Sequence, residues 1–210
     1  MTEKEFDFLL QDRIMKIQAI NEQYDLLNNA YLSFSGGKDS TVLHYLLDLA
    51  LPGNNIPRLF INTGMEYLDM IKFVRTMAEQ DNRIIIHNSG VNIPKMLEKY
   101  GYPFKSKDHS LRVNQFNKGS NSNYIKKYIE GWEHNGIKSR FCCSEKLLYQ
   151  FEEKGKYNYS DQCCHKLKKD VAREWEKVNN RSIYITGMQK QEGGNEPRCN
   201  AWLLIEKKMV

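Results

Sequence analysis

The sequence predicts an α/β fold, a mostly parallel sheet with helices on both faces. Three observations carry that expectation. Short apolar runs rich in β-branched and aromatic residues, at 31–34, 58–61, 84–87 and 182–186, alternate with stretches of helical periodicity. Helices between successive strands imply right-handed crossovers, and crossovers imply parallel neighbours. Polar, glycine-bearing loops follow these runs, at the carboxyl ends of the strands, where open α/β sheets gather their ligands.

The elements follow in order. Leu9, Leu10, Ile14, Ile17, Ile20, Tyr24 and Leu27 recur at helical spacing, so 3–28 reads as an amphipathic N-terminal helix. Helical stretches at 41–50, 67–79 and 93–100 follow the first three strands. Beyond Gly101 the pattern weakens: 105–123 is polar and aperiodic, 124–129 suits a helix, and 135–143 reads as a loop. About 101–160 is therefore expected to be an insertion or lid. Order returns at 166–178, where Leu167, Val171, Trp175 and Val178 keep one apolar face, and the strand at 182–186 leads into a loop from Gly187 to Gly194. A chain of 210 residues is expected to form a single domain, 1–210.

Between the first strand and its helix stands Ser35-Gly36-Gly37-Lys38-Asp39-Ser40. Adjacent glycines take positive φ and bring bare backbone close to a ligand, and the amides that open the next helix point partial positive charge into the same space. A phosphate or sulfate is expected there. The plainer alternative is a tight turn capped by Ser40 or Asp39. Spacing excludes the ordinary P-loop, whose first glycine would fall on Leu32 and whose Ser or Thr would replace Asp39. Asn62-Thr63-Gly64-Met65-Glu66 and Asn88-Ser89-Gly90 should lie along the same rim.

Composition bounds the partners. The balance of 31 basic against 26 acidic residues, +5, is compatible with anionic small molecules or nucleic acid and demands neither. No apolar run approaches the roughly 18 residues of a membrane span, and the start lacks a basic segment followed by an apolar one, so a cytoplasmic protein is expected. Five cysteines, an odd number, argue against a disulfide framework. Cys142-Cys143, Cys163-Cys164 and Cys199 all lie in the second half, in pairs unlike the CxxC spacing of most zinc sites. They read either as buried thiols or as redox groups and iron–sulfur ligands. Neighbours on a helix point about 100° apart, so both members of a pair can ligate one centre only from a turn or a helix start.

Together these residues resemble the phosphoadenosine phosphosulfate (PAPS) reductase family, part of the PP-loop adenine nucleotide alpha-hydrolase-like proteins. The segment 35–40 is similar to the family's SGGKDS loop. Asn62-Thr63-Gly64 with Glu66 resembles its TG-x-E segment, and Thr186-Gly187-Met188 with Glu192-Gly193-Gly194 its later glycine loop. The resemblance runs from about Ala30 onward. It implies a Rossmann-like sheet with an adenine nucleotide, ATP or of the PAPS or adenylyl sulfate type, across the strand ends. Ser35, Gly36, Gly37, Lys38, Asp39 and Ser40 would hold its phosphate or sulfate, and Asn62, Thr63, Gly64, Glu66 and Gly187 would complete the site. Asp39 is the implied Mg²⁺ ligand when the nucleotide is ATP. Gln189 stands where members often show Arg, which leaves Arg198 or Lys190 as substitutes.

Some relatives hold a [4Fe–4S] cluster on paired cysteines, which implies Cys163, Cys164 and Cys199 as ligands with Cys142 or Cys143 as a fourth. No Glu-Cys-Gly-type segment precedes Val210, and the chain stops soon after an apolar run at 201–205, so a shortened member is expected. The implied activity is that of a PAPS reductase-like oxidoreductase or an ATP-dependent sulfurtransferase. Lys38 would stabilise the leaving group, Cys163 or Cys164 would act as nucleophile, and a thiol reductant or sulfur acceptor would be the partner. The alternatives are sulfur transfer onto nucleic acid and an inactive nucleotide-binding module.

Overall fold

The computed structural model describes residues 2–131, 136, 137, 139 and 141–187, together with the backbone of 204–207. α1 (Glu3–Tyr24) starts from a capping box in which the Thr2 hydroxyl accepts from Glu5 N–H and the Glu5 carboxylate accepts from Thr2 N–H. It stops at Asp25, whose φ of 49° is left-handed, so the expected 3–28 helix is broken and α2 (Leu26–Asn29) is a separate turn. There follow β1 (Ala30–Ser33), α3 (Lys38–Ala50), β2 (Arg58–Asn62), α4 (Leu68–Gln80), β3 (Ile84–Asn88) and α5 (Ile93–Tyr100). Next come α6 (Lys107–Asn117), α7 (Asn123–Glu130), a 3-10 helix (Glu145–Phe151) and α8 (Gln162–Cys164). A π-helical turn (His165–Lys169) joins α8 to α9 (Asp170–Asn179), and β4 (Ile183–Thr186) and β5 (Leu204–Lys207) follow.

The strands form one sheet in the order β3-β2-β1-β4-β5. The first four are mutually parallel, as the alternation of strands and helices required, and β5 pairs antiparallel with β4 at the edge. β5 was not foreseen, because a short apolar run gives no signal for the direction of its pairing.

Side-chain alternation builds both layers. Leu32, Phe60, Ile84, Ile183 and Ile185 enter the main core with residues of α1, α3 and α4, while Tyr31, Leu59 and Trp175 of α9 form a second cluster. The Tyr31 hydroxyl donates to the buried Glu176 of α9 at 2.9 Å, and burial and that carboxylate hold the phenol well above its usual range.

The chain divides into two compact units, residues 1–89 with 171–210, and residues 90–170. The stretch 101–160, expected as an insertion, lies within the second. There, 105–123 contains α6, capped by Ser106 on His109 N–H at 3.1 Å. The apolar-periodicity signal missed this helix because much of its buried face is polar: His109, Ser110 and Arg112 are buried beside Val113. Buried His109 is held between the Tyr128 hydroxyl at 2.8 Å and Gln150 Oε1 at 2.9 Å.

A charge network fixes the amino-terminal edge of the sheet. Arg58, at the foot of β2, is 0% exposed. It bonds His44 Nδ1 at 3.2 Å, Asn54 Oδ1 at 2.8 Å, Asp48 Oδ1 at 2.7 Å and the Ile56 carbonyl. Arg83, just before β3, joins Asp48 and Asp81. Burial alone would raise Asp48, but hydrogen bonds from Arg83 and Asn54 and the two guanidinium charges hold it at about 2. Burial and the neighbouring Arg58 push His44 down, consistent with a neutral ring whose Nδ1 accepts.

Both shifts make acid destabilising. Asp48 contributes fully above its ordinary 3.8 and loses that contribution as pH falls toward about 2. His44 opposes folding once pH drops below its ordinary 6.5. Urea denaturation should show a midpoint that declines from about pH 6.5 and drops steeply below about pH 4. Asp48→Asn should cost about 3 kcal/mol at neutral pH, by leaving Arg58 short of its counter-charge, and should flatten the acid limb.

Candidate functional site

The first turn of α3 is the centre of the site. The backbone leaves β1, takes φ +73° at Gly36 and enters the helix through Gly37, the N-cap, at φ −76°. A Cβ on Gly36 would lie 2.7 Å from both Met70 Sδ and Val74 Cγ2 of α4, so glycine is required by conformation and by space. The loop braces itself. Ser40 Oγ donates to Gly37 O at 3.0 Å, the Ser35 and Ser40 hydroxyls lie 3.1 Å apart, and Gly37 N–H donates to Ser35 Oγ at 3.3 Å. The two hydroxyls expected on the anion therefore hold the shape of the turn.

Neither Ser40 nor Asp39 caps the helix. Gly37 is the cap and offers no side chain, so the N–H groups of Lys38, Asp39 and Ser40, which precede the first intrahelical bond, have no capping group. Open amides at the positive end of a helix are the arrangement in which anions are commonly held. Lys38 Nζ rests 3.2 Å from Asp39 Oδ1, with the lysine side chain 85% exposed, so this pair adds little stability and leaves the ammonium near the turn. Gly187, the first residue after β4, packs on the same turn: a Cβ there would come within 3.2 Å of Asp39 C, O and Cβ. Two segments about 150 residues apart meet because β4 is the direct neighbour of β1.

On the other side of β1, at the end of β2, Glu66 accepts from Thr63 N–H and from the Thr63 hydroxyl, each at 2.9 Å. Asn62 Oδ1 accepts from Gly64 N–H at 3.1 Å, and its amide donates to Asn88 Oδ1 at 2.9 Å. Thr63 and Glu66 thus act as a staple that closes their own loop. Met65, Tyr67 and Leu68 stand exposed beside it, Tyr67 at 86%, an apolar surface that no sequence motif announced. Met70 and Val74, which forbid a side chain at 36, were equally invisible, since their signal is only helical periodicity.

Cys142, Cys143, Cys163 and Cys164 are free thiols in the second unit. Cys163 and Cys164 open a helix. Cys143 is buried, its thiol pushed up by burial, and its N–H donates to Tyr128 O at 2.7 Å. Arg198 and Cys199, with Lys190 and the Glu192-Gly193-Gly194 segment, lie outside the described residues. Among the described residues, His44, Asp48 and Asp81 form a group with potential ligand atoms within 4.8 Å of one another. Their carboxylates are already paired with Arg58 and Arg83, whose positive charges oppose a cation beside them, so the group acts as a structural buttress.

The sequence profile of the phosphoadenosine phosphosulfate reductase domain matches residues 29–203. An uncharacterized protein of Methanocaldococcus jannaschii, MJ0973, is 31% identical over 160 residues, which cover 70% of this chain and 38% of that protein. A second, MJ0066 of the same organism and also uncharacterized, is 36% identical over 72 residues, 34% of this chain and 15% of the relative. The chain thus spans less than two-fifths of the length of these relatives. No solved structure matches it significantly.

The steric demand at position 36 is testable. Gly36→Ala should cost about 3 kcal/mol in urea denaturation, through left-handed strain and overlap with Met70 and Val74. Gly37→Ala, at an ordinary φ with one 3.3 Å contact to Ser35 Oγ, should cost less than about 1 kcal/mol.

Proposed function

The chain belongs to the phosphoadenosine phosphosulfate reductase domain family, and on that premise we propose that the 35–40 turn binds the phosphate or sulfate end of an adenine nucleotide, ATP or of the PAPS or adenylyl sulfate type, for sulfur chemistry. The observation that carries this reading is the uncapped start of α3, with three open backbone N–H groups following a turn whose Gly36 admits no side chain. Such amides neutralise an anion without a long side chain having to be ordered. Lys38 adds an exposed cation, and Gly187 brings a second strand end against the turn. The adenine lies toward Asn62, Thr63 and Gly64, with Met65 and Tyr67 offering apolar cover.

The chemistry that follows is displacement at sulfur or phosphorus, with negative charge growing on the departing phosphate or sulfite. Lys38 and the α3 amides stabilise that charge more than the ground state, which is the differential binding catalysis needs. Mg²⁺, if the nucleotide is ATP, would engage Asp39 in place of Lys38. Cys163 or Cys164 is the proposed nucleophile or sulfur carrier. A [4Fe–4S] cluster, which would supply or accept electrons, suits Cys163 and Cys164 as free thiols at a helix start. Cys143 suits it poorly, being buried and held as a thiol, and half-buried Cys142 is the more available member of that pair.

Calorimetric titration with ATP and with PAPS tests the site. At least one should bind, and at about one hundred times its Kd it should stabilise the protein by about 2.7 kcal/mol. Lys38→Ala should weaken binding about tenfold or more with little change in stability, because its side chain is 85% exposed. Binding without turnover points to the nucleotide-binding module, and binding of neither overturns the proposal.

A further inference from the structure

The net charge is unevenly divided. Of the 31 Lys and Arg, 16 fall in residues 90–170, against 9 of the 26 Asp and Glu, so the second unit carries +7 and the rest of the chain −2. An excess of that size in 81 residues attracts anionic partners.

Within this unit the basic side chains flank an aromatic seam. The segments around Tyr102 and Tyr159 run side by side, with Tyr102 N–H donating to Asn158 O at 2.8 Å and Ser160 N–H to Tyr102 O at 2.9 Å. Phe104 stacks on Tyr159 at 4.6 Å and 14°, Tyr159 on Tyr157 at 5.7 Å and 13°, and Tyr149 meets Tyr157 edge-on at 5.4 Å. The rings at the margins are open: Tyr102 is 45% exposed and Tyr149 41%.

Lysines stand at both ends. Asn117 donates to Tyr157 O at 2.7 Å and accepts from Gly155 N–H at 2.9 Å, which brings Lys118 and Lys154 beside the seam. At the other end Lys99 and Lys166 lie 5.2 and 4.9 Å from the Tyr100 ring centre. Glu153 engages Lys156, Asp170 engages Lys166, and Glu152 stands on the same turn as Lys154. Among the described residues Lys99, Lys118 and Lys154 have no carboxylate partner.

We propose that this seam binds single-stranded nucleic acid. The exposed rings of Tyr102 and Tyr149, backed by the stacked Phe104, Tyr159 and Tyr157, offer surfaces on which unpaired bases stack, and lysines at the margins meet the backbone phosphates, whereas a duplex hides its base faces. A charged surface without rings would serve any polyanion. The combination of the two selects a strand with exposed bases. The proposal goes beyond the nucleotide site and concerns the second unit alone.

The test is fluorescence anisotropy of the full chain with a labelled single-stranded oligonucleotide of about 20 nucleotides. Log K should fall linearly with log salt, and the triple variant Lys99→Glu, Lys118→Glu, Lys154→Glu should bind at least tenfold more weakly with unchanged circular dichroism. Tyr149→Ala should weaken binding by about five- to a hundredfold, while Tyr149→Phe, which keeps the ring, retains it. No binding at low salt, affinity unchanged in these variants, or equal competition by duplex DNA or polyglutamate would overturn the proposal. ATP titration of the same protein reads the 35–40 turn separately, so failure of either reading is distinguishable from failure of the other.

Discussion

A guanidinium out of reach of water must be satisfied entirely by protein, and Arg58 is that group in the first unit. Its partners come from α3, from the loop between α3 and β2, and, through Asp48 and Arg83, from the start of β3. Meeting this one requirement fixes where α3 ends and how β2 and β3 begin. The opposite end of the same helix carries the uncapped amides. A rod held at its carboxyl end by a charge cluster and packed on β1 and α1 presents its amino end in a set direction, which the proposed anion site needs before its ligand arrives.

The glycine turn and the parallel sheet were legible because each is written locally. Two glycines between an apolar run and a helical run specify a turn, and strands buried on both faces read as apolar runs. The self-bracing of Ser35 and Ser40 was not legible, since a hydroxyl in such a motif suits a ligand and a loop carbonyl equally. Thr63 and Glu66 likewise read as a binding segment and close on each other. Helix α6 was lost because His109, Ser110 and Arg112 fill its buried side. Their burial depends on partners such as Gln150, 41 residues away, which periodicity within one segment does not register.

The two units keep their polar groups in different ways. In the first, Arg58, Arg83, Asp48 and Asp81 are buried or half-buried as charges that answer one another. In the second, His109 is held neutral by burial between a phenol and an amide, and Arg112 lies between the rings of Tyr124 and Tyr128, at 4.0 and 3.9 Å, with Asp108 as its counter-ion. The four described cysteines belong to this second unit, where Cys143 shares a small core with Val113, Tyr128 and Phe151.

The contact of Gly187 with Asp39 has a bearing on the order in which the molecule is made. During synthesis the ribosome releases β1, α3, β2, α4 and β3 first, yet one flank of β1 stays open until β4 emerges, after the whole of residues 90–170. Tyr31 must wait across 145 residues for Glu176. Pairings so distant in sequence form late and leave a strand edge exposed while they are awaited. Residues 90–170, which carry a core of their own, emerge in that interval, so the last parallel pairing of the sheet waits until that whole unit has been made.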